Sequence, residues 1–169
     1  MKAGFTIVEL LIVIVVIAIL AAITIVAFNG IQQRARLSQV QSGVNQYVKA
    51  LMQYAVENNS YPIPATTGSS MACFDGVPDC FPGGANAAST TALSTAMKKY
   101  LPQDPVLPPT TGNTILMQWQ TGTKFYIYFI QDGANSECVS VSGTTLGLNG
   151  PAGSGEDKRV CRLLLPDPS

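Results

Sequence analysis

The sequence predicts an α+β protein. A long N-terminal α-helix, half transmembrane and half amphipathic, packs on a small antiparallel sheet of three to four strands. Three observations predict it. Leu10 to Phe28 is a run of 19 residues in which Thr24 is the one polar side chain. Beyond that run, apolar residues keep helical spacing to about Asn58, with no proline before Pro62. The C-terminal half then carries segments that alternate with the period of a strand.

The apolar run is long enough to cross a bilayer and longer than a secretory h-region of about 7–15 residues. Ala18, Ala21 and Ala22 lie inside it, and Ile23 to Phe28 is still apolar beyond Thr24, so no small-residue cleavage site precedes a polar mature start. Glu9 stands at the beginning of the run. A carboxylate in hydrocarbon costs about 2.5–3.5 kcal/mol on insertion scales, which makes Glu9 a candidate functional residue rather than filler. The bland alternative is a glutamate at the membrane interface with no partner. Flanking charge does not orient the helix, because Lys2 and the amino terminus balance Arg34 and Arg36.

Past Phe28 the composition turns polar. Leu37, Val40, Val44, Tyr47, Leu51 and Tyr54 step by three and four, with Val48 and Ala55 alongside, on a surface of Gln, Arg, Ser and Asn. That is one apolar stripe seeking a partner, either the chain's own sheet, which we expect, or another chain in a coiled coil. Gly30 and Gly43 weaken the helix by about 1 kcal/mol each without stopping it. Asn58-Asn59-Ser60-Tyr61-Pro62 ends it. A helix over residues 5–58 is about 80 Å long at 1.5 Å per residue.

Ile63 to Ala88 reads as a loop rich in Pro, Gly, Ser, Thr and Ala. A short helix is predicted over Ser89 to Leu101, with Ser89 as its cap and Leu93, Met97 and Leu101 repeating every four residues. Four prolines, Pro102, Pro105, Pro108 and Pro109, then interrupt regular structure. Strands are expected over Thr114 to Gln120 and Phe125 to Gln131, joined by a tight turn at Thr121-Gly122-Thr123. Cys138 to Ser142 and Arg159 to Leu165 are two further strand candidates, separated by a glycine-rich loop, Gly143 to Asp157.

Composition narrows the function classes. Ten basic and ten acidic residues give a formal net charge of zero, which argues against nucleic acid as an obligate partner. Histidine is absent, removing the commonest general base and metal ligand. Serines and threonines abound without a base beside them, and G-x-S-x-G does not occur, so no catalytic residue is assigned and no enzyme is expected. No cofactor is called for. Asp132, Asn135 and Glu137 do not follow a calcium-loop pattern and read as a solvated turn. Arg34 and Arg36 face lipid headgroups or acidic neighbours, or simply water.

Four cysteines, Cys73, Cys80, Cys138 and Cys161, all follow the apolar run, and none forms a C-x-x-C pair. That distribution fits disulfides in an oxidising compartment better than zinc, and puts the C-terminal part outside the membrane. Three pairings are open. The sequential one, Cys73–Cys80 with Cys138–Cys161, is the one we expect, the second bridge closing a loop of about twenty residues for roughly 3 kcal/mol. Buried reduced thiols are the alternative.

Gly4-Phe5-Thr6-Ile7-Val8-Glu9-Leu10-Leu11, after a short leader with one basic residue and before an uninterrupted apolar helix, resembles the processing site of type IV pilins and type II secretion pseudopilins. Tyr61-Pro62 and Tyr100-Leu101-Pro102-Gln103-Asp104-Pro105 resemble features of the same family. The resemblance is tight from Gly4 to Phe28 and architectural beyond. It implies a pilin-like fold with a leader at residues 1–4, a transmembrane and assembly helix over 5–28 and an extracytoplasmic domain over 29–169. It implies cleavage after Gly4 by a prepilin peptidase, N-methylation of Phe5 as the new N-terminus, and a carboxylate at Glu9 that pairs with the Phe5 amine of a neighbouring subunit. Many members carry Gly and Pro within the membrane helix, where this chain has Ala18 and Val26.

The expected protein is thus a structural subunit of a type IV pilus or pseudopilus. Its partners are the membrane, the peptidase and further pilins, itself included, in a helical filament. It is expected in the cytoplasmic membrane before assembly, and in an extracellular pilus or periplasmic pseudopilus after it. The alternative is a single-pass anchored extracellular binding domain that never polymerises.

Overall fold

The computed structural model describes residues 6–62, 70–74, 87–103, 105, 107, 115–120, 124–133, 137–147 and 158–168. Helix α1 spans Ile7–Asn58. It is followed by β1 (Ser70–Cys73), α2 (Ala87–Met97), β2 (Leu116–Gln120), β3 (Lys124–Asp132), β4 (Thr145–Leu146) and β5 (Lys158–Leu164). The chain divides into two compact units, Met1–Ala35 and Arg36–Ser169.

The first unit is the N-terminal part of α1. Its large apolar side chains from Ile7 to Ile31 are 47–84 % exposed where described. A helix that is apolar on every side has no face to turn to water, so lipid or other helices must cover it. Thr24 fits such surroundings because its hydroxyl donates to the Ala21 carbonyl at 2.9 Å, leaving no donor unmet.

In the second unit the predicted stripe becomes the core. Val40, Val44, Tyr47, Val48, Leu51 and Ala55 are at most 4 % exposed and pack against Met117, Phe125, Ile127, Phe129 and Leu163 of the sheet. Each of the larger aliphatic and Phe side chains contributes roughly 1.5–3 kcal/mol by leaving water. Two aromatic pairs tie the helical side of the core to the rest: Tyr47 lies 4.7 Å from Phe74, and Tyr61, just past α1, lies 4.8 Å from Phe125. Gly43 is buried on the same face, where a Cβ would stand 2.5 Å from Leu107 Cδ2, so its missing side chain lets Leu107 lie on the helix. The helix stops as its sequence dictates. Asn59 takes the left-handed conformation (φ 52°) common just past a helix C-terminus, and the Asn58 amide donates to the Tyr54 carbonyl at 2.9 Å.

The described strands form one antiparallel sheet in the order β1-β2-β3-β5-β4. Its register places Met117 opposite Ile127 and Phe129 opposite Cys161, so these inward residues stack under the helix. The sheet therefore has five strands where three to four were expected. Both additions are short and fall where the sequence reads as loop: β1 within 63–88 and β4 within 143–157. Cys138 to Ser142, expected as a strand, joins no ladder. It is held by a side chain instead. Gln131 is fully buried; its amide donates to the Glu137 carbonyl at 2.8 Å and its Oε1 accepts from the Val139 N–H at 3.1 Å. These two bonds serve the backbone as a strand partner would.

Helix α2 starts at Ala87, so Ser89 lies within it rather than capping it, and it closes at Met97, whose carbonyl accepts from the Tyr100 and Leu101 N–H groups. Inside it, Thr90 is fully buried and its hydroxyl accepts from the Cys73 N–H at 3.1 Å, closing the outer side of β1. The turn expected at 121–123 lies outside the described residues.

Candidate assembly site

The N-terminal end of α1 is capped by two residues three apart, Thr6 and Glu9. Thr6 precedes the first helical residue, Ile7, and Glu9 is the third helical position. The Thr6 N–H donates to Glu9 Oε2 at 2.8 Å, the Thr6 hydroxyl donates to the same oxygen at 2.7 Å, and the Glu9 N–H lies 3.3 Å from the Thr6 hydroxyl oxygen. This is a capping box, in which the cap residue and the third helical residue satisfy each other's free backbone donors. The carboxylate also sits at the positive end of the helix dipole. Glu9 is exposed, at the head of the exposed apolar helix. One oxygen thus takes two bonds inside its own chain, while the group as a whole faces outward. Gly4 and Phe5, the expected cleavage and methylation positions, lie outside the described residues.

The T-x-x-E spacing of this box is present in the sequence, yet it went unread: the family resemblance implied a partner for Glu9 on a neighbouring subunit, and the local partner Thr6 was missed. A second pair was missed as well: Arg36 Nη1 donates to Asp132 Oδ2 at 3.3 Å, joining α1 to the end of β3. Arg36 is therefore engaged with the domain's own surface, and nothing in a spacing of 96 residues signals that. Asp132 belongs to the triplet weighed for calcium; Asn135 lies outside the described residues and Glu137 is exposed.

Cys138 and Cys161 form a disulfide with Cα atoms 5.7 Å apart, and Cys161 is fully buried in β5. Cys73 is also disulfide-bonded. Cys80, its expected partner, lies outside the described residues.

Two further polar arrangements shape the second unit. At the end of α1, Glu57 accepts from the Lys99 ammonium and, at 2.6 Å, from the Tyr100 hydroxyl. The Lys99 bond, helped by the tyrosine, holds the Glu57 carboxyl below its ordinary range, and the same bond raises Lys99. The pair is exposed and adds little stability. Tyr61 is buried, its hydroxyl donates to the Pro166 carbonyl at 2.9 Å, and desolvation pushes its pKa up to about 12. Among the described residues no group of three His, Cys, Asp or Glu side chains is placed to hold a metal ion.

Residues 1–25 match the family described as the prokaryotic N-terminal methylation motif. The chain is also similar to the type IV wide pilus major component PilA4 of Thermus thermophilus, 47 % identical over 58 residues. That stretch is 34 % of this chain and 44 % of the relative, so the match spans less than half of either protein. No solved structure matches this chain. Over its N-terminal stretch the chain is thus similar to the methylation-motif family and to a type IV pilus component, and its long helix on an antiparallel sheet is consistent with a pilin fold.

Proposed function

We propose that the chain is made as a membrane-anchored precursor, trimmed after Gly4 by a prepilin peptidase, methylated on Phe5 and polymerised through residues 5–28 into a pilus or pseudopilus. Residues 1–4 are then the leader and residues 29–169 the extracytoplasmic domain. The filament serves adhesion, motility, DNA uptake or secretion. The observation that carries this reading is an apolar helix, exposed along its length and headed by one carboxylate, within a segment matching the methylation motif.

The physical role of Glu9 follows from its surroundings. Among packed apolar helices an amine and a carboxylate must meet or stay unpaired, and an unpaired buried charge costs about 3–5 kcal/mol. Pairing Glu9 with the Phe5 amine of a neighbour therefore fixes axial register more than it adds stability. The two bonds from Thr6 give the carboxylate a partner before assembly. Disulfides in the domain are in keeping with its lying outside the membrane.

Intact mass and N-terminal sequencing of the protein recovered from cells test the processing. A chain beginning at Phe5 with one added methyl group is expected. A chain still beginning at Met1 would remove the processing step and favour an anchored binding domain that does not polymerise. Glu9→Ala tests the assembly step: it should leave the precursor inserted and cleaved while filament yield falls by an order of magnitude or more, and normal filaments from it would end the register role.

A further inference from the structure

Strand β3 carries a different chemistry on each side. Phe125, Ile127 and Phe129 enter the core under α1, so by alternation Tyr126 and Tyr128 face the other way, and both are half-buried. Their rings lie 6.5 Å apart, inclined at 58°. Tyr128 rests on the buried Leu116 and Cys73, which fixes its base. Register puts Arg162 of β5 directly beside Tyr128.

Arg162 is held in place. Its guanidinium carbon lies 4.8 Å from the Tyr126 ring centroid, in a cation–π contact. It also meets Gly147, whose N–H donates to the Arg162 carbonyl at 2.8 Å. A Cβ at Gly147 would stand 2.6 Å from Arg162 Nε, so a side chain there would displace the guanidinium. A guanidinium kept by a ring and a backbone has given up rotamer freedom before any ligand arrives. The charge around it has one sign. The five strands carry Lys124, Lys158, Arg159 and Arg162 against a single acid, Asp132, which pairs with Arg36. The sheet is thus basic within a chain of zero net charge.

We propose that Tyr126, Tyr128 and Arg162 form a binding site for an acidic saccharide, a sugar chain bearing uronic carboxylates. A planar guanidinium matches a carboxylate with two parallel N–H···O bonds. A sugar ring offers an apolar C–H face to a tyrosine ring, and its hydroxyls suit the phenol groups, which donate and accept. Nucleic acid fits less well. Successive bases stack on platforms that track the strand, whereas these rings are steeply inclined to each other. A phosphate backbone calls for a row of cations, while Arg162 is the cation over these rings. The site lies in the second unit and uses no residue of 5–28, so its binding stands or falls apart from polymerisation.

The test is calorimetric titration of the full chain, held in detergent micelles, with a tetramer of galacturonic acid. Saturable binding with a Kd of about 1 mM or tighter is expected. It should be roughly ten-fold tighter than binding of the neutral galactose tetramer. Arg162→Lys keeps the charge but loses the planar fork, and should weaken binding about ten-fold. Tyr126→Leu should weaken it similarly by removing the ring beneath the guanidinium. Lys98→Gln, which removes an exposed cation just past α2, should leave it unchanged. The unaltered chain decides even where a variant unfolds: equal affinity for the acidic and neutral tetramers, or no binding of either at millimolar ligand, overturns the proposal. Tighter binding of a single-stranded oligonucleotide of the same charge overturns it in favour of nucleic acid. An equal loss in Lys98→Gln would reduce it to unspecific charge attraction.

Discussion

A single hydroxyl organises the start of α1. Thr6 gives its N–H and O–H to Glu9 and lies within reach of the Glu9 N–H. Thr6→Val keeps shape and loses the hydroxyl, and should cost the first turn about 1 kcal/mol. Faster amide hydrogen exchange at residues 8–10 in detergent-held subunits would report it, with Thr6→Ser restoring protection. Tyr61 works through burial. Its pKa of about 12 lies above the ordinary value of 10, so the folded state favours the protonated ring. The associated stability is fully present below pH 10 and is lost as pH rises toward 12. Alkaline melts should therefore fall steeply above pH 10 in the unaltered chain and less steeply in Tyr61→Phe, which should lose roughly 1 kcal/mol at neutral pH with its bond to Pro166. Gly143 sits at φ +83°, where a Cβ would also stand 2.8 Å from Met52 Cε. Gly143→Ala should destabilise the second unit by about 1–2 kcal/mol in a denaturant melt.

Among the elements, long periodic segments were legible and short ones were not. The stripe from Val40 to Ala55 announced its buried face because sixteen residues repeat one pattern. Strands β2, β3 and β5 were legible for the same reason, within one or two residues at their ends. Strands β1 and β4, of four and two residues, carry no period; they exist because β2 and β5 offer them an edge. Cys138 to Ser142 shows the converse. It alternates like a strand, but the side chain of Gln131 took the place of a ladder. Gln131→Met should leave the Val139 N–H and Glu137 carbonyl without that partner, at about 1–3 kcal/mol for each group that stays dry. Loss of exchange protection at Val139, ahead of its neighbours in β3, would show it.

On the scale of the whole molecule, the apolar run and the cysteines confined to one side of it pointed to an anchored chain, and the resemblance of Gly4 to Leu11 to a pilin processing site pointed to a structural subunit. What stayed hidden were pairings across long separations, such as Arg36 with Asp132, since a lone charge carries no address. The Cys138–Cys161 bridge ties β5 to the segment after β3 across 23 residues. Replacing both cysteines by alanine should lower unfolding stability by about 3 kcal/mol.

The closure of β1 by Thr90 has a consequence for crowding. A sheet edge left open to its own kind invites strand-by-strand stacking, the route to amyloid-like aggregates. Membrane-anchored copies of the kind proposed above would share a two-dimensional pool, where such encounters are frequent. Among the described residues, Thr90 of α2 takes the Cys73 N–H at one border of this sheet, and at the other the outermost strand is two residues long. Neither border templates a foreign strand well, so if the chain polymerises as proposed its copies would be left to meet by their helices, and the same feature would favour an ordered fibre over a tangle.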